Sequence, residues 1–266
     1  MSAFYEEVSK GTRFEFGKNW SRLLDLLDDE RLTNAESSLK KMLGVEDLRG
    51  KSFLDIGSGS GLFSLAARRL GARVHSFDYD PHSIGCTMEL KRRHFAGDQD
   101  WQIEEGSALD RDYLSKLGKF DIVYSWGVLH HTGAMWRALD NAHELVAPGG
   151  KFFVSIYNDQ GVISRYWRMI KACYNRARFL RPLLVAIHWP YLVGLRWTVR
   201  ALTGRLKEER GMSLWIDMLD WLGGYPFEVA APSRVIEFYG LKGFSLARSK
   251  TCGRRHGCNE FVFEKI

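Results

Sequence analysis

From residue 51 onward, short apolar runs alternate with stretches in which apolar residues recur every three or four positions. The runs are SFLDI, RVHSFD, WQIEE, FDIVYS and KFFVSIY. The stretches between them follow Gly61 and Pro81 and include a stripe of Trp136, Leu139, His143 and Val146. Strands that alternate with helices of about ten residues predict a mostly parallel sheet with helices on both faces. Near-continuous apolar runs such as FDIVYS suit strands buried on both sides. Ahead of the first run, Trp20, Leu23, Leu24 and Leu27 fall at i, i+3, i+4 and i+7, and Leu39, Met42 and Leu43 resume the stripe. This spacing predicts amphipathic helices that cover one side of the α/β region.

After Tyr157 the alternation stops for roughly 65 residues, in which Ile163, Trp167, Ile170 and Tyr174 keep helical spacing. It resumes with PSRVIEFYG, a short helix opened by proline, and two strand-like runs, FSLARSK and NEFVFEK. The expected organisation is an N-terminal helical extension (1–49), an α/β core (50–157 and 226–266) and a helical insertion after the fifth strand (158–225).

With 266 residues, 45% of them hydrophobic, the chain is long enough for one substantial core. Its first ten residues lack the basic, apolar, small-residue succession of a secretory signal, and its four cysteines are too few for a disulfide scaffold. A cytoplasmic protein is expected. Charge changes the picture in one place. Residues 161–207 hold ten Lys or Arg and no Asp or Glu, which is more than the whole formal charge of +6. This asymmetry points to an anionic partner or to a solvated face.

In LDIGSGSGLF, glycines stand at 57, 59 and 61 between a strand and a helix. Such a turn lets a ligand lie against backbone N–H groups at the positive end of the helix. The dinucleotide pattern needs glycine at position 62, where Leu62 stands, and the Lys-Ser/Thr of a triphosphate loop is missing. Asp78, 21 residues beyond Gly57 at the end of the next strand, is placed to accept both ribose hydroxyls. An adenosine ligand without a pyrophosphate is therefore expected.

FLDIGSGSGLFSLAARRLGARVHSFDYDP, then FDIVYSWGVLHHTG, then LVAPGGKFFVSIYN resembles the class I S-adenosylmethionine-dependent methyltransferases, most closely the ubiquinone-biosynthesis O-methyltransferase-like small-molecule methylases. The resemblance implies a Rossmann-like seven-stranded sheet, S-adenosylmethionine as cofactor and methyl transfer to a small-molecule, glycan or lipid-linked acceptor. It places Asp55, Gly57 and Gly59 at the methionine end and Asp78 at the ribose, with Ser58, Gly61 and Tyr79 also among the cofactor-binding residues. Ser107 and Ala108 fall beside the adenine, Ser107 standing where many members carry Asp, and Ser125 and Trp126 border the methyl group. Asp80 before Pro81 reads as a helix cap instead.

A sulfonium methyl needs little beyond alignment with its acceptor, but a hydroxyl acceptor benefits from a general base. His131 is the first candidate, with His130 its rival and Asp159 a further one. All three follow strand ends at the carboxyl edge, where open α/β sheets bind ligands. Tyr157, Asn158, Arg210, Trp215 and Asp217 are acceptor candidates, the last three in RGMSLWIDMLDWLGGYPFE beside Asp220 and Trp221. Cys252, His256 and Cys258 offer only three ligands at C-x5-C spacing, so no metal is expected.

LLVAIHWPYLVGL, residues 183–195, is too short to span a bilayer, which needs about 20 apolar residues. Residues 181–200 fit a buried cap, a homodimer contact or a peripheral membrane contact. The basic insertion keeps an RNA methyltransferase open as an alternative. A noncatalytic, cofactor-binding assembly subunit is another.

Overall fold

A computed structural model describes residues 3–24, 27–195, 197–198, 214–253 and 257–266. Helices α1 (Ala3–Ser9), α2 (Gly17–Leu24) and α3 (Asp29–Leu43) precede strand β1 (Ser52–Ile56). Then α4 (Leu62–Arg69), β2 (Arg73–Asp78), α5 (Pro81–His94), β3 (Trp101–Glu105), α6 (Arg111–Leu117), β4 (Phe120–Trp126), α7 (Met135–His143) and β5 (Val146–Tyr157) alternate as expected. The insertion contributes α8 (Val162–Arg176), α9 (Arg181–Trp189) and α10 (Leu214–Gly223). Helix α11 (Pro232–Gly240) and strands β6 (Phe244–Lys250) and β7 (Cys258–Lys265) close the chain.

The seven strands lie in the order β3-β2-β1-β4-β5-β7-β6, with β7 antiparallel to both its neighbours and the other pairs parallel. Strand order reverses between β1 and β4, so the crevice that binds ligands in such sheets opens at the carboxyl ends of these two strands. Along β1 the side chains alternate: Leu54 and Ile56 enter one core with α7 and α11, and Phe53 enters the other with α3 and α4. Each such fully buried side chain contributes about 1.5–3 kcal/mol. Both faces are covered, which explains why these strands read as continuous apolar runs.

Local signals act as expected at several ends. Asp80 Oδ1 accepts from His82 N with Pro81 in the first turn of α5, and Asp28 caps α3. Leu24, with Trp20 and Leu27 packed against the same core, covers one side of the sheet as expected, Leu27 from a non-helical position; nothing is described of the Leu23 side chain. Helix α7 has no cap of its own and takes one from a distant segment, Glu228 Oε2 accepting from Met135 N at 2.9 Å.

The insertion folds around its own small core of Trp167, Ile170, Tyr174, Leu184, Met218 and Leu222. Its neck is closed by backbone bonds: Ala230 N donates to Tyr157 O at 3.0 Å, and Asp159 N to Ala230 O at 3.3 Å. This short bridge returns the chain to the core where it left. Among the described residues no helix is long and apolar enough to cross a membrane.

Candidate active site

The three glycines of the turn all adopt left-handed backbone, with φ of 78° at Gly57, 57° at Gly59 and 82° at Gly61. What approaches them is partly the protein itself. A Cβ on Gly57 would stand 2.4 Å from Cγ1 of Val128, and one on Gly61 would stand 2.9 Å from Cα of Thr87. At Gly59 the Trp20 indole lies 3.4 Å from the same position. Ser58 Oγ pairs with Thr87 Oγ1 at 2.9 Å, so its side chain anchors the turn to α5.

Two carboxylates flank this turn. Asp55 is buried and accepts from Ser64 Oγ at 2.5 Å. Ser64 in turn accepts from Ser76 Oγ, and Ser76 from Trp101 Nε1. This buried relay fixes the Asp55 carboxyl from α4, β2 and β3, while burial pushes its pKa up to about 7. Asp78 stands at the rim of the crevice. Its Oδ2 accepts from Gly59 N and its Oδ1 from Asp80 N, each at 2.9 Å. Burial pushes it up to about 6 against these hydrogen bonds.

These residues fit the adenosine cofactor. A carboxylate has about four acceptor positions, and Asp78 uses two in tying down the turn. The remaining capacity suits the two hydroxyls of a ribose. Tyr79 OH bonds to Glu7 at 3.3 Å, and the Arg13 guanidinium lies 4.9 Å from the centre of its ring. Ser107 Oγ accepts from Leu109 N and Ala108 O from Asn141 Nδ2, so this loop is shaped from within. Ser125 Oγ donates to Ile56 O at 3.1 Å and clasps the ends of β1 and β4. Trp126 turns to the opposite face of the sheet, where its Nε1 donates to Glu260 at 3.1 Å.

Beyond β4 the two histidines have different settings. His130 is wholly buried against the Tyr157 ring, 4.0 Å between centres, and neither of its ring nitrogens meets a partner in hydrogen-bond geometry. Burial holds it well below the usual imidazole pKa, so it forms a neutral wall. His131 Nδ1 lies 2.6 Å from Pro226 O, and Phe16 packs on its ring at 5.0 Å. Its pKa falls to about 3 through burial, with Lys171 and Arg13 also disfavouring the cation. Tyr157 sits between these histidines and the insertion, its ring 5.6 Å from that of Trp221.

Sequence reasoning missed the groups that enclose this place. Residues 13–20 strap the crevice shut. Arg13 Nη1 donates to His131 O at 3.1 Å, Gly17 N to Asp80 Oδ2 at 2.8 Å, and Asn19 Nδ2 to Asp220 Oδ1 at 2.5 Å. Gly223 and Gly224, at the end of α10, make room for this strap. A Cβ on Gly223 would fall 2.1 Å from the Phe14 ring. Lys171 is fully buried, donates to Trp221 O, and lies 4.2 Å from the centre of the Trp221 ring. Its pKa drops to about 7 by burial, and that of Asp220 rises to about 7 for the same reason. The available signal was the register of Lys171, on the stripe of Trp167 and Tyr174.

Other candidates fall elsewhere. Asp159 is exposed and accepts from Gly161 N at 2.8 Å, as a turn residue opening α8. Together with Ser164 and Arg165 it lines a surface cleft, while a second cleft lies between α5 and β3; the histidines line neither. Asn158 bonds to Gly253 O and to Asn259, bracing the strand end. Trp215 is 49% exposed, Asp217 is half-buried, and Asp220 is the acid that reaches the site. Arg210, Arg196, Arg200, Arg205, Lys207 and His256 lie outside the described residues. Cys86 and Cys173 are free thiols, and no metal-holding cluster occurs among the described residues.

The strand order, the glycine turn and the acid after β2 together define a class I methyltransferase fold. Residues 27–200 match the family described as methyltransferase domain, and the chain belongs to that family, whose cofactor is S-adenosylmethionine. It is 30% identical over 158 residues to ribosomal protein L11 methyltransferase of Methylococcus capsulatus, covering 59% of this chain and 49% of that one. It is 29% identical over 161 residues to ubiquinone biosynthesis O-methyltransferase of Coxiella burnetii, covering 56% of this chain and 65% of that one. The chain thus spans about half to two thirds of the length of these relatives. Among solved structures, its fold is similar to magnesium protoporphyrin IX methyltransferase of Synechocystis with S-adenosylhomocysteine bound. There the TM-score is 0.54 at 15% identity, over 88% of this chain and 83% of that one. It is also similar to the N-methyltransferase NodS of Bradyrhizobium japonicum, with a TM-score of 0.52 at 16% identity, over 94% and 98%.

Proposed function

We propose that this protein methylates an oxygen of a small or lipid-linked acceptor whose hydroxyl is acidic, as in a phenol or hydroxyquinone, held between the core and the insertion. The bond from His131 to Pro226 carries this reading. A carbonyl only accepts, so Nδ1 holds the proton and Nε2 is left with its lone pair. S-adenosylmethionine, when bound, supplies a methyl carbon already activated by its sulfonium. The chain's own work is then to bind, align and exclude water. Asp78 and the glycine turn hold the ribose end, and the strap over Asp80 and Asp220 closes the crevice. His131 Nε2 accepts the hydrogen bond of the acceptor hydroxyl and takes its proton as the oxygen gains the methyl, before passing it to solvent.

Burial makes that imidazole a weaker base, which favours an acceptor hydroxyl that is itself acidic. With its pKa lowered to about 3, His131 is neutral but too weak a base to deprotonate an aliphatic alcohol. A phenolic or enolic hydroxyl needs far less help. The aromatic surroundings of Tyr157, Trp221 and Phe227 suit a flat apolar body. The test is release of S-adenosylhomocysteine with a panel of phenols, quinols, sugars and aliphatic alcohols, for the wild type and His131→Ala. Turnover confined to acidic hydroxyls and lost in the variant supports the reading. Equal turnover of alcohols refutes it, and cofactor binding without turnover of any acceptor favours an assembly role.

A further inference from the structure

The insertion presents apolar side chains to solvent on its outer side. On α8, Val162 (69% exposed) and Met169 (61%) flank Tyr166 on the face turned away from the buried Trp167, Lys171 and Tyr174. Leu183 and Ile187 do the same on α9, at 55% and 59%, one turn apart, and Phe179 before them is 82% exposed. Tyr166 joins the two strips, since its hydroxyl meets His188 Nε2 at 2.6 Å, beside Ile187. Single exposed apolar residues are ordinary, whereas two adjoining strips on neighbouring helices mark an interaction surface.

Charge selects the occupant. Arg165, Arg168, Arg176 and Arg178 are all exposed on this helical layer, although Arg168 also donates to Phe227 O, Arg176 to Tyr225 OH and Arg178 to Val8 O, and residues 161–207 contain no acid. Two copies of this face brought together would oppose arginine to arginine, which disfavours a homodimer. An RNA would satisfy the arginines and could stack on Tyr166 and Phe179, but its phosphates offer nothing apolar to Val162, Met169, Leu183 and Ile187, which a bilayer would cover. Trp189 and Tyr191, 46% and 48% exposed, have the amphipathic character found at the boundary between lipid headgroups and acyl chains. Apolar helix faces with an arginine rim and boundary aromatics match the requirements of an anionic bilayer surface.

We propose that the outer face of α8 and α9 docks on an anionic lipid bilayer, seating its apolar side chains at the headgroup boundary and its arginines among lipid phosphates. Docking stands without any acceptor. If the acceptor reading also holds, the docked helix presents its other side, with Lys171, to the acceptor site, and a lipid-linked acceptor reaches that site from the membrane. Co-sedimentation of the full chain with phosphatidylcholine vesicles containing about one quarter phosphatidylglycerol tests the proposal. Binding should be strong at low salt, weaker as salt rises, and absent on pure phosphatidylcholine. Leu183→Asp with Ile187→Asp should abolish it, and Arg165→Ala or Arg178→Ala should each weaken it about fivefold. These side chains are exposed, so thermal melts and S-adenosylhomocysteine affinity should not change; if the double variant does not fold, Met169→Asp replaces it. No vesicle binding by the wild type overturns the proposal. So does binding that survives the aspartates, or a dimer that the aspartates dissociate while vesicles are ignored. Failure of the acceptor reading would show differently, as lost or indiscriminate turnover with vesicle binding intact.

Discussion

His131 Nδ1 donates to the carbonyl oxygen of Pro226 at 2.6 Å, so a residue beyond β4 is oriented by the segment that returns from the insertion. The ring cannot rotate without losing this bond, and Nε2 keeps the lone pair. His131→Ala should lower kcat by about a hundredfold or more, the lower range for a positioned base, while leaving S-adenosylhomocysteine affinity nearly unchanged. Because burial lowers its pKa to about 3, the group is already neutral well below neutrality. The pH profile of kcat should therefore show no loss assignable to it between about pH 5 and 8. An acid limb near the usual imidazole pKa that vanishes in His131→Ala would contradict the buried, neutral setting.

Asp78 spends two acceptor positions on Gly59 N and Asp80 N, so it both shapes the turn and offers capacity for the ribose. Asp78→Ala should weaken S-adenosylhomocysteine binding by about tenfold to a hundredfold, the usual worth of hydrogen bonds to a charged group. Asp78→Asn should also weaken binding, because its amide NH2 would face one of the two backbone N–H groups that the carboxylate accepts. Calorimetric titration decides this. Equal affinity in wild type and Asp78→Ala would remove Asp78 from the cofactor site.

Gly17 marks the point where the strap meets α5. A Cβ there would lie 2.6 Å from Cβ of His82 and 2.7 Å from Ser83 N, and its N–H bonds to Asp80 Oδ2. Gly17→Ala should push the strap outward, costing about 1–3 kcal/mol as overpacking does. It should also speed proteolytic cleavage within residues 1–20. Unchanged cleavage together with an unchanged melt would show that the strap does not depend on this contact.

The sheet is legible in the sequence because its strands are buried on both faces and each connection is local. FDIVYS reads as a strand before anything is known of its neighbours, and it becomes β4. Asp78 is legible for the same reason, its place being set by the end of β2. The strap is not. GTRFEFGKNW has no periodicity, and its partners Asp80, His131 and Asp220 lie between 63 and 201 residues away. The place of Trp126 after β4 suggests the methyl position, but strand alternation turns its side chain to the other face of the sheet. Lys171 reads as one more solvent-facing cation in a basic segment, although its register with Trp167 and Tyr174 points it inward.

Lys171 gives a stability test with a defined sign. Its ammonium is fully buried, partly compensated by the Trp221 carbonyl and by the ring faces of Trp221 and Phe227 at 4.2 and 4.9 Å. Burial lowers its pKa from 10.5 to about 7. Between these values the folded chain holds fewer protons than the unfolded chain, so stability rises with pH across that window. Below about pH 7 both states carry the charge, and the full cost of burying it is present. Lys171→Met, which keeps the length and removes the charge, should stabilise the protein by on the order of 3 kcal/mol near pH 6. That advantage should shrink steadily toward pH 10. Urea unfolding midpoints across this range measure it. A difference between wild type and variant that stays constant with pH would show that Lys171 keeps an ordinary pKa in the folded protein. A variant less stable near pH 6 would show that the contacts to Trp221 and Phe227 outweigh the cost of burial.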